Sequence, residues 1–314
     1  MREEVAREVC GRTTRFAPAP TGALHLGHAA SAIWVWGLAR AAGGRVLLRI
    51  EDHDRVRSRP EFERALLEDL DWLGLEPDAP PVRQSERGEL YRAALARLAD
   101  AGLVYVCDCT RRAILQRSAG GDAEELRYPG TCRERRLEES AAPMRRVRLE
   151  PERIGFEDLR LGPGSQIPAE QCGDLLARDR DGNWTYQFAV AVDDLEQGID
   201  LVVRGEDLLA STGRQIQLAR LLGRSEPARF LHHPLILRPD GAKLSKSGRD
   251  TGLGELRAAG WSPARVLGAA AAATGLVAEP RELAPADLPD LVARALALPP
   301  RPRASERAAA GGGP

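Results

Sequence analysis

The stretch RFAPAPTGALHLGH, residues 15–28, decides the fold because a loop rich in proline and glycine joins a strand-like start to an apolar helix. The helix is predicted from about Leu26 to Ala42, and RVLLRI, residues 45–50, follows as a buried parallel strand. A β-loop-α-β unit of this kind is the first half of a doubly wound nucleotide-binding sheet. The sequence therefore predicts an α/β fold with a Rossmann-like parallel sheet.

Two histidines stand where this helix must begin. His25 and His28 are three residues apart, so both imidazoles face the same side of the first turn. There they join the unpaired N–H groups and the positive end of the helix dipole, which favour phosphate. Gly27 removes a side chain where an adenine ring would lie close to the backbone. The alternative is that the two histidines only cap and pack the helix start.

A second element, KLSKS at residues 243–247, follows some 215 residues downstream, in a loop after an apolar strand predicted at 234–237. Together, HLGH and KLSKS resemble the HIGH and KMSKS signatures of class I aminoacyl-tRNA synthetases. The resemblance implies ATP as a substrate, with Mg²⁺ accompanying it. Negative charge develops on phosphate oxygens when a carboxylate attacks ATP, and one positioned donor is worth about 3–4 kcal/mol there. Lys246 is the candidate for the pyrophosphate contact. The catalytic candidates are His25, His28, Lys243 and Lys246, and the ATP-binding candidates are Gly27 and Lys246.

Four further segments indicate which amino acid is activated. Glutamate carries two carboxylates and one ammonium, so its pocket needs two cationic forks and one anion. RFAPAPTG, RIEDHD (49–54), TYQFAVAVDD (185–194) and VRGEDLLASTGRQ (203–215) resemble, in this order, segments of the glutamyl-tRNA synthetase family. The resemblance runs from about Arg12 to about Gly248. It implies that Glu51 binds the ammonium group of glutamate and that Arg204 is the second arginine that binds a carboxylate. The implied glutamate-binding residues are Arg15, Phe16, Ala17, Pro18, Ala19, Glu51, Tyr186 and Arg204. Ala19 departs from the family, which commonly has serine there.

A group of cysteines suggests a metal site. Cys107-x-Cys109 is followed by Tyr128-x3-Cys132. Thiolates bind Zn²⁺ strongly, but a tetrahedral structural site needs four ligands, and three free buried cysteines are the alternative. The short members of the glutamyl family have a similar Cys-x-Cys…Tyr-x3-Cys pattern. That resemblance implies one structural Zn²⁺ bound by Cys107, Cys109, Tyr128 and Cys132.

Changes of composition and pattern divide the chain into five predicted parts. They are the first half of the Rossmann-like catalytic domain (1–106), an inserted acceptor-like subdomain with the zinc site (107–178), the second half with the KLSKS loop (179–248), a short helical extension (249–298) and a disordered tail (299–314). Because only 67 residues follow KLSKS, we expect no anticodon-binding domain.

This organisation favours the short relatives, the glutamyl-queuosine tRNA(Asp) synthetases, as do two local features. Asp207-Leu208-Leu209 replaces the Asp-His pair usual in the long form, and Gly248 directly follows KLSKS. The resemblance implies that glutamyl-adenylate forms without tRNA and that glutamate is transferred to the queuosine base at the wobble position of tRNA(Asp). Two alternatives stay open: a truncated glutamyl-tRNA synthetase that charges tRNA(Glu), and a non-catalytic glutamate- or RNA-binding paralogue.

Composition limits the partners. A net charge of -1 gives no global signal for nucleic acid, so any RNA contact must be local. Arginines between Arg127 and Arg148 form one such patch, with a solvated surface as the alternative. No stretch reaches the roughly 18 apolar residues of a membrane span, and residues 1–12 lack the apolar centre of a secretory signal. Five cysteines, an odd number, disfavour a disulfide framework. We therefore expect a cytoplasmic protein and, without an evident interaction stripe, a monomer.

Overall fold

The structure is a computed structural model that describes residues 1–54, 57–117, 126–236 and 251–298. The KLSKS loop with Lys243 and Lys246, the following Gly248, and the predicted tail at 299–314 lie outside these described residues. Within the described ranges, strands and helices alternate along the chain, which confirms the α/β prediction.

The first sheet consists of three parallel strands in the order β1-β2-β3, and it confirms the β-loop-α-β unit predicted around residues 15–50. After the short helix α1 (Glu3–Val9), the elements of this region are β1 (Thr13–Phe16), α2 (Leu26–Ala41), β2 (Arg45–Ile50), α3 (Pro60–Trp72) and β3 (Val82–Arg83). Gly43 follows α2 with a φ of 63°, a left-handed conformation that glycine adopts without steric cost. The turn lets the chain reverse directly into β2.

The second sheet has the strand order β7-β6-β10-β9, in which β6, β10 and β9 are parallel and β7 is antiparallel. Its strands are β6 (Ile154–Asp158), β7 (Gly162–Gln166), β9 (Leu201–Gly205) and β10 (Arg229–His233). The strand predicted at 234–237 is placed wrongly, because pairing of β10 with β9 ends at His233 opposite Gly205. Pro234 follows, and a proline has no N–H with which to continue the ladder.

The third sheet is antiparallel, in the order β4-β5-β8. Its strands are β4 (Val104–Val106), β5 (Arg145–Val147) and β8 (Leu175–Arg178), and the helices near them are α4 (Gly88–Asp100), α5 (Arg111–Arg117) and α6 (Pro168–Gln171). The segment 107–178 thus contributes strands both to this sheet and, through β6 and β7, to the second sheet. Its limits as a subdomain stay a prediction.

The C-terminal helices pack against α2. They are α9 (Leu253–Ala258), α10 (Pro263–Ala273) and α11 (Leu288–Ala295), and they confirm a short helical extension. Leu267 and Val292 are fully buried in the same core cluster as Ile33 of α2. A Cβ atom at Gly37 would lie 2.5 Å from Cγ2 of Val292, so this contact requires a residue without a side chain. Among the described helices, none combines the length and the hydropathy needed to span a membrane.

Two further helices complete the frame of the site: α7 (Tyr186–Glu196) and α8 (Thr212–Leu221). The carboxyl ends of β1, β2, β9 and β10 meet the amino-terminal ends of α2, α7 and α8. Open α/β sheets bind their ligands at this edge of the parallel strands.

Candidate active site

Seven of the eight residues predicted to bind glutamate line one cavity of about 350 Å³, hereafter the glutamate cavity. They are Arg15, Phe16, Ala17, Pro18, Glu51, Tyr186 and Arg204. The eighth, Ala19, lines the neighbouring cavity instead. The residues come from four separate segments of the chain, which the sheet brings together at one edge.

Arg204, at the end of β9, is a buried cation whose hydrogen-bond partners are neutral. Its side chain is 4% exposed, and its Nε and Nη2 atoms donate to His232 Nε2 at 2.9 Å and to Thr212 Oγ1 at 2.8 Å. Nη1 donates to the amide oxygen of Gln215. Burial and the nearby charge of Arg15 lower the pKa of Arg204 to about 10. Within the described ranges, no carboxylate lies at ion-pair distance from this guanidinium.

A relay behind Arg204 fixes its orientation, and sequence reasoning did not find it. His232 is fully buried on β10, and its Nδ1 atom lies 2.7 Å from Oδ2 of Asp158. Because a carboxylate only accepts, Nδ1 carries the ring proton and Nε2 accepts from Arg204. Burial lowers the pKa of His232, which keeps the ring neutral at pH 7. The guanidinium is thus held in place without being neutralised.

Arg15 and Glu51, the other two charged residues of the cavity, are held by a second buried network. Asp194 Oδ1 accepts from Arg15 Nε at 3.0 Å and from Arg49 Nη1 at 2.6 Å. Arg49 is fully buried and also donates to Glu51 Oε1 at 3.2 Å. Burial raises the pKa of Glu51, against the opposing effect of Arg49. Burial acts on Asp194 too, but the two arginines outweigh it and hold the pKa of Asp194 below its usual value.

Asp193 extends this network to the helix after β3. It is fully buried and accepts from Gln84 Nε2 at 2.7 Å, from Arg87 Nε at 2.7 Å and from Tyr91 Oη at 2.8 Å. Sequence reasoning assigned no role to either aspartate. The sequence does indicate that these aspartates are buried, because the two acids follow directly on an apolar run in the segment FAVAVDD, residues 188–194. Acids buried in this way need cationic or hydrogen-bonding partners.

A cavity of about 470 Å³ adjoins the glutamate cavity and contains the residues predicted for ATP, and we name it the ATP cavity. His25, Gly27 and His28 line it, together with Ala19 and His233. The two cavities share wall residues, which are Ala17, Pro18, His28, Ser31, Gly205 and Leu208.

The two histidines of HLGH cap α2 as well as line the cavity. His25 Nδ1 accepts from the backbone N–H of Gly27 at 3.1 Å, and His28 Nδ1 accepts from the backbone N–H of His25 at 3.1 Å. Because both Nδ1 atoms accept, each neutral ring carries its proton on Nε2. Both histidines therefore cap α2, and capping is compatible with phosphate binding because it fixes which ring nitrogen carries the proton.

His233 is a further wall residue that sequence reasoning missed. Its Nε2 atom lies 3.1 Å from Ser31 Oγ, and its Nδ1 atom lies 3.0 Å from the carbonyl oxygen of Pro234. Burial lowers the pKa of His233 to about 4, so the ring is neutral at pH 7. A Cβ atom on the neighbouring Gly205 would lie 2.6 Å from Asp207 Oδ1 and 2.8 Å from Leu235 Cδ2. The wall between the two cavities is therefore closely packed.

The cysteine cluster has the donor atoms of a structural metal site. The Sγ atoms of Cys107, Cys109 and Cys132 lie within 4.8 Å of one another, and all three residues are buried. Tyr128 Oη lies 3.6 Å from Cys107 Sγ and accepts from the backbone N–H of Cys132 at 2.8 Å. Burial and the neighbouring thiol groups raise the pKa of Cys109 to about 12. Three sulfurs and one oxygen gathered in this way fit a tetrahedral Zn²⁺ site.

Several arginines of the patch predicted between Arg127 and Arg148 form ion pairs, and one is buried. Arg133 pairs with Glu150, Arg135 with Asp108 and Arg148 with Glu134, at 2.8, 2.7 and 2.9 Å. Arg146 is buried, with its guanidinium 3.6 Å from the centre of the Tyr128 ring. Contact of this segment with RNA stays a prediction. None of the five cysteines forms a disulfide in the structure.

Comparison with known proteins gives concordant matches. The family described as tRNA synthetases class I (E and Q), catalytic domain, matches residues 12–270. A glutamyl-Q tRNA(Asp) synthetase of Symbiobacterium thermophilum is 48% identical over 298 residues, which cover 89% of this chain and 91% of that protein. One of Leptothrix cholodnii is 46% identical over 275 residues, or 84% of this chain and 90% of that protein. The crystal structure of a glutamate-tRNA synthetase from Elizabethkingia anophelis is similar with a TM-score of 0.72 at 26% identity. The match covers 90% of this chain but 65% of that synthetase, slightly less than two thirds of its length.

Proposed function

Because the chain belongs to the class I glutamyl- and glutaminyl-tRNA synthetase family, we propose that it activates L-glutamate with ATP and transfers it to the queuosine base of tRNA(Asp). The family is one of ligases, and relatives 40–48% identical over most of the chain are named for this reaction. Glutamate, ATP and a tRNA are the partners. We further propose that the acceptor in this tRNA is the queuosine at the wobble position.

The observation that best supports glutamate as the substrate is the buried charge of Arg204. A buried cation without a counter-ion is costly, and such groups usually meet their partner in a ligand. The same cavity holds the guanidinium of Arg15 and the carboxylate of Glu51. Two guanidinium groups and one carboxylate complement the two carboxylates and the ammonium of glutamate. The network of Asp194 and Arg49 keeps Arg15 and Glu51 in position.

In the first step, an oxygen of the glutamate α-carboxylate attacks the α-phosphorus of ATP. A bond forms between that oxygen and phosphorus, the bond to the bridging oxygen of the β-phosphate breaks, and pyrophosphate leaves. We propose that His25 and His28, which line the ATP cavity, donate hydrogen bonds from Nε2 to phosphate oxygens, where negative charge develops. Lys246, with Lys243, is proposed to stabilise the pyrophosphate, and Mg²⁺ is proposed to accompany ATP.

We assign a structural role to zinc. Cys107, Cys109 and Cys132 would hold the ion, with Tyr128 as the proposed fourth ligand. When bound, Zn²⁺ supplies a cross-link between the two ends of the segment 107–132 and takes no part in the reaction. We further propose a monomer. Leu115 and Leu298 are the exposed large apolar side chains within the described ranges, and two isolated residues do not make an association surface.

Glutamate-dependent exchange of pyrophosphate into ATP tests the activation step. We expect exchange with glutamate in the absence of any tRNA, and none with glutamine, whose side chain lacks the second carboxylate. Exchange that requires tRNA, or that proceeds equally with glutamine, contradicts the proposal. Absence of exchange with every amino acid favours the non-catalytic alternative, and transfer of glutamate to tRNA(Glu) favours the truncated charging enzyme.

A further inference from the structure

Like Arg204, Arg146 on β5 is a buried cation, but it lies beside the cysteine cluster. It is 6% exposed. Within the described ranges, its guanidinium contacts a sulfur atom, a carbonyl oxygen and an aromatic ring, and none of these contacts is with a carboxylate. Burial of an uncompensated charge is unfavourable, so a guanidinium in this setting indicates a negative group nearby. Neither glutamate nor ATP supplies that group, because Arg146 lines neither of their cavities.

The contacts of the Arg146 guanidinium lead to two residues of the cysteine cluster and to the neighbouring strand region. Nε donates to Cys107 Sγ at 3.4 Å, and Nη1 donates to the carbonyl oxygen of Asp174 at 2.7 Å. The guanidinium carbon lies 3.6 Å from the centre of the Tyr128 ring. Because β5 is the central strand of the third sheet, its backbone is paired on both sides. The sheet thus holds the guanidinium against the cluster.

The charge of the cysteine cluster decides whether Arg146 has a counter-ion. Three protonated thiols and a phenol are neutral, and they would leave the guanidinium uncompensated. Zn²⁺ is bound by thiolates, so the ion with three thiolates carries one net negative charge, to which a phenolate ligand adds a second. This charge would be shielded from water, since Cys107, Cys109 and Cys132 are at most 9% exposed. The buried cation therefore favours a metal-bound cluster over three free buried thiols.

A second arginine contacts the cluster from the solvent side. Arg135 Nη1 lies 3.5 Å from Cys132 Sγ and 2.7 Å from Asp108 Oδ1. The same carboxylate oxygen lies 3.2 Å from this sulfur. When the sulfur is a thiolate, it repels the carboxylate, and the guanidinium between them offsets both charges. The Arg135 side chain is 45% exposed, so water and salt screen its effect more than they screen that of Arg146.

We propose that Arg146 is the counter-ion of the zinc centre, that Arg135 supports it from the solvent side, and that both raise the zinc affinity through the sulfur ligands. This inference rests on the proposed function, which includes the structural Zn²⁺. Both arginines are positioning residues, because they contact the ligands and do not supply a ligand atom themselves. Hydrogen-bonding partners of metal ligands typically contribute about 10- to 100-fold in metal affinity. Arg146 also covers one face of the Tyr128 ring, whose Oη lies 3.6 Å from Cys107 Sγ.

Zinc affinity, measured by competition with a chromophoric chelator, tests whether the charge of Arg146 matters. Arg146→Gln removes the charge and Arg146→Lys keeps it, and neither reproduces the planar guanidinium. We expect the Kd for Zn²⁺ to rise at least ~10-fold in Arg146→Gln and less than about threefold in Arg146→Lys. The matched control is Arg145→Gln on the same strand, because that guanidinium donates to backbone carbonyl oxygens and to no sulfur. Equal losses in the two variants of Arg146, or an equal loss in the control, overturn its assignment as a counter-ion.

Arg135→Gln tests the same electrostatic account at an exposed side chain, so it decides the question even where Arg146→Gln fails to fold. We expect the Kd for Zn²⁺ to rise roughly threefold at low salt, and this difference to shrink at about 1 M salt, where the Debye length is about 3 Å. The control is Arg136→Gln, which changes the adjacent exposed arginine, and its Kd is expected to equal that of the wild type. A Kd that Arg135→Gln leaves unchanged at low salt overturns the account.

Cobalt(II), bound in place of zinc, distinguishes a positioning residue from a ligand by its absorption spectrum. At saturating cobalt, the thiolate-to-cobalt charge-transfer bands of Arg146→Gln should match those of the wild type, because the three sulfur ligands remain. Cys132→Ser is expected to lower these bands. Weaker bands in saturated Arg146→Gln overturn the positioning role. A wild type that binds neither metal contradicts the proposed zinc site itself, whereas metal binding that the variants of Arg146 and Arg135 leave unchanged overturns only this inference.

Discussion

Replacing Arg204 by glutamine is expected to weaken glutamate binding by roughly 100-fold while ATP binding stays nearly unchanged. The guanidinium is 4% exposed and has no carboxylate partner within the described ranges, so the substrate would supply its counter-ion. Two charges about 4 Å apart at an effective dielectric constant near 20 attract each other by about 4 kcal/mol. Truncating one member of a buried pair costs about 2–5 kcal/mol. A loss near 3 kcal/mol corresponds to slightly more than 100-fold in the dissociation constant.

Pyrophosphate exchange measures this prediction through separate KM values for glutamate and ATP. Thermal unfolding gives an independent reading. Glutamate at 100 times the wild-type Kd stabilises the wild type by about 2.7 kcal/mol, but stabilises a variant that binds 100-fold more weakly by only about 0.4 kcal/mol. Arg220→Gln is the matched control on α8, because its guanidinium is exposed and paired with Glu152 at 3.1 Å. A normal KM for glutamate in Arg204→Gln would refute the assignment of Arg204 as a carboxylate ligand.

Three further predictions concern the buried network, the cysteine cluster and the helical extension. Asp194→Asn is expected to lower the free energy of unfolding by about 3–5 kcal/mol. Because folding lowers the pKa of Asp194 below its ordinary value of 3.8, its contribution is present above that pH and is lost as the pH falls through the folded-state pKa. Urea unfolding should therefore show a difference in the free energy of unfolding between wild type and variant that is constant between about pH 6 and 8 and shrinks below about pH 4. A difference that grows in acid contradicts this. Purified wild-type protein is expected to hold one Zn²⁺ per chain, as measured by atomic emission. The variant Cys132→Ser is expected to lose most of this zinc, whereas the control Cys10→Ser is expected to keep all of it. A wild type that binds no zinc disproves the site. Gly37→Ala is expected to cost about 1–3 kcal/mol, because the new methyl group lies 2.5 Å from a side chain of α11. Gly254→Ala, in α9 with open space around it, is expected to gain about 0.5–1 kcal/mol, and equal effects of the two glycine variants on urea unfolding count against the packing of α11 on α2.

Local sequence signals were sufficient for α2 and for the first two strands of the first sheet, β1 and β2, but they did not predict β3. Proline and glycine mark the loop before α2, Gly43 ends the helix, and the short, largely apolar segment Arg45–Ile50 after it indicates a buried strand. The strand before the KLSKS loop was placed about four residues too late. Apolar character continues past His233, whereas the ladder of hydrogen bonds ends there because of Pro234. Composition shows where apolar residues are, and backbone donors decide where pairing stops.

The charged residues of the site were found through family resemblance, but their supports were not. Arg49 and Asp194 are 145 positions apart in the chain, and Asp158 and His232 are 74 apart. Sequence spacing carries no information about contacts of that range, which only the folded chain creates. Three arginines of the segment between Arg127 and Arg148 pair with the carboxylates of Asp108, Glu134 and Glu150, and composition alone did not show these pairs.

The central claim is that glutamate is transferred to queuosine in tRNA(Asp), and the most direct measurement is the transfer of labelled glutamate in the presence of ATP. Three acceptors are compared: tRNA(Asp) that carries queuosine, the same tRNA without the modification, and tRNA(Glu). We predict label only on the queuosine-bearing tRNA(Asp). Label on tRNA(Glu), or equal label on tRNA(Asp) with and without queuosine, would contradict the account, since the glutamate would then be attached elsewhere than to the modified base.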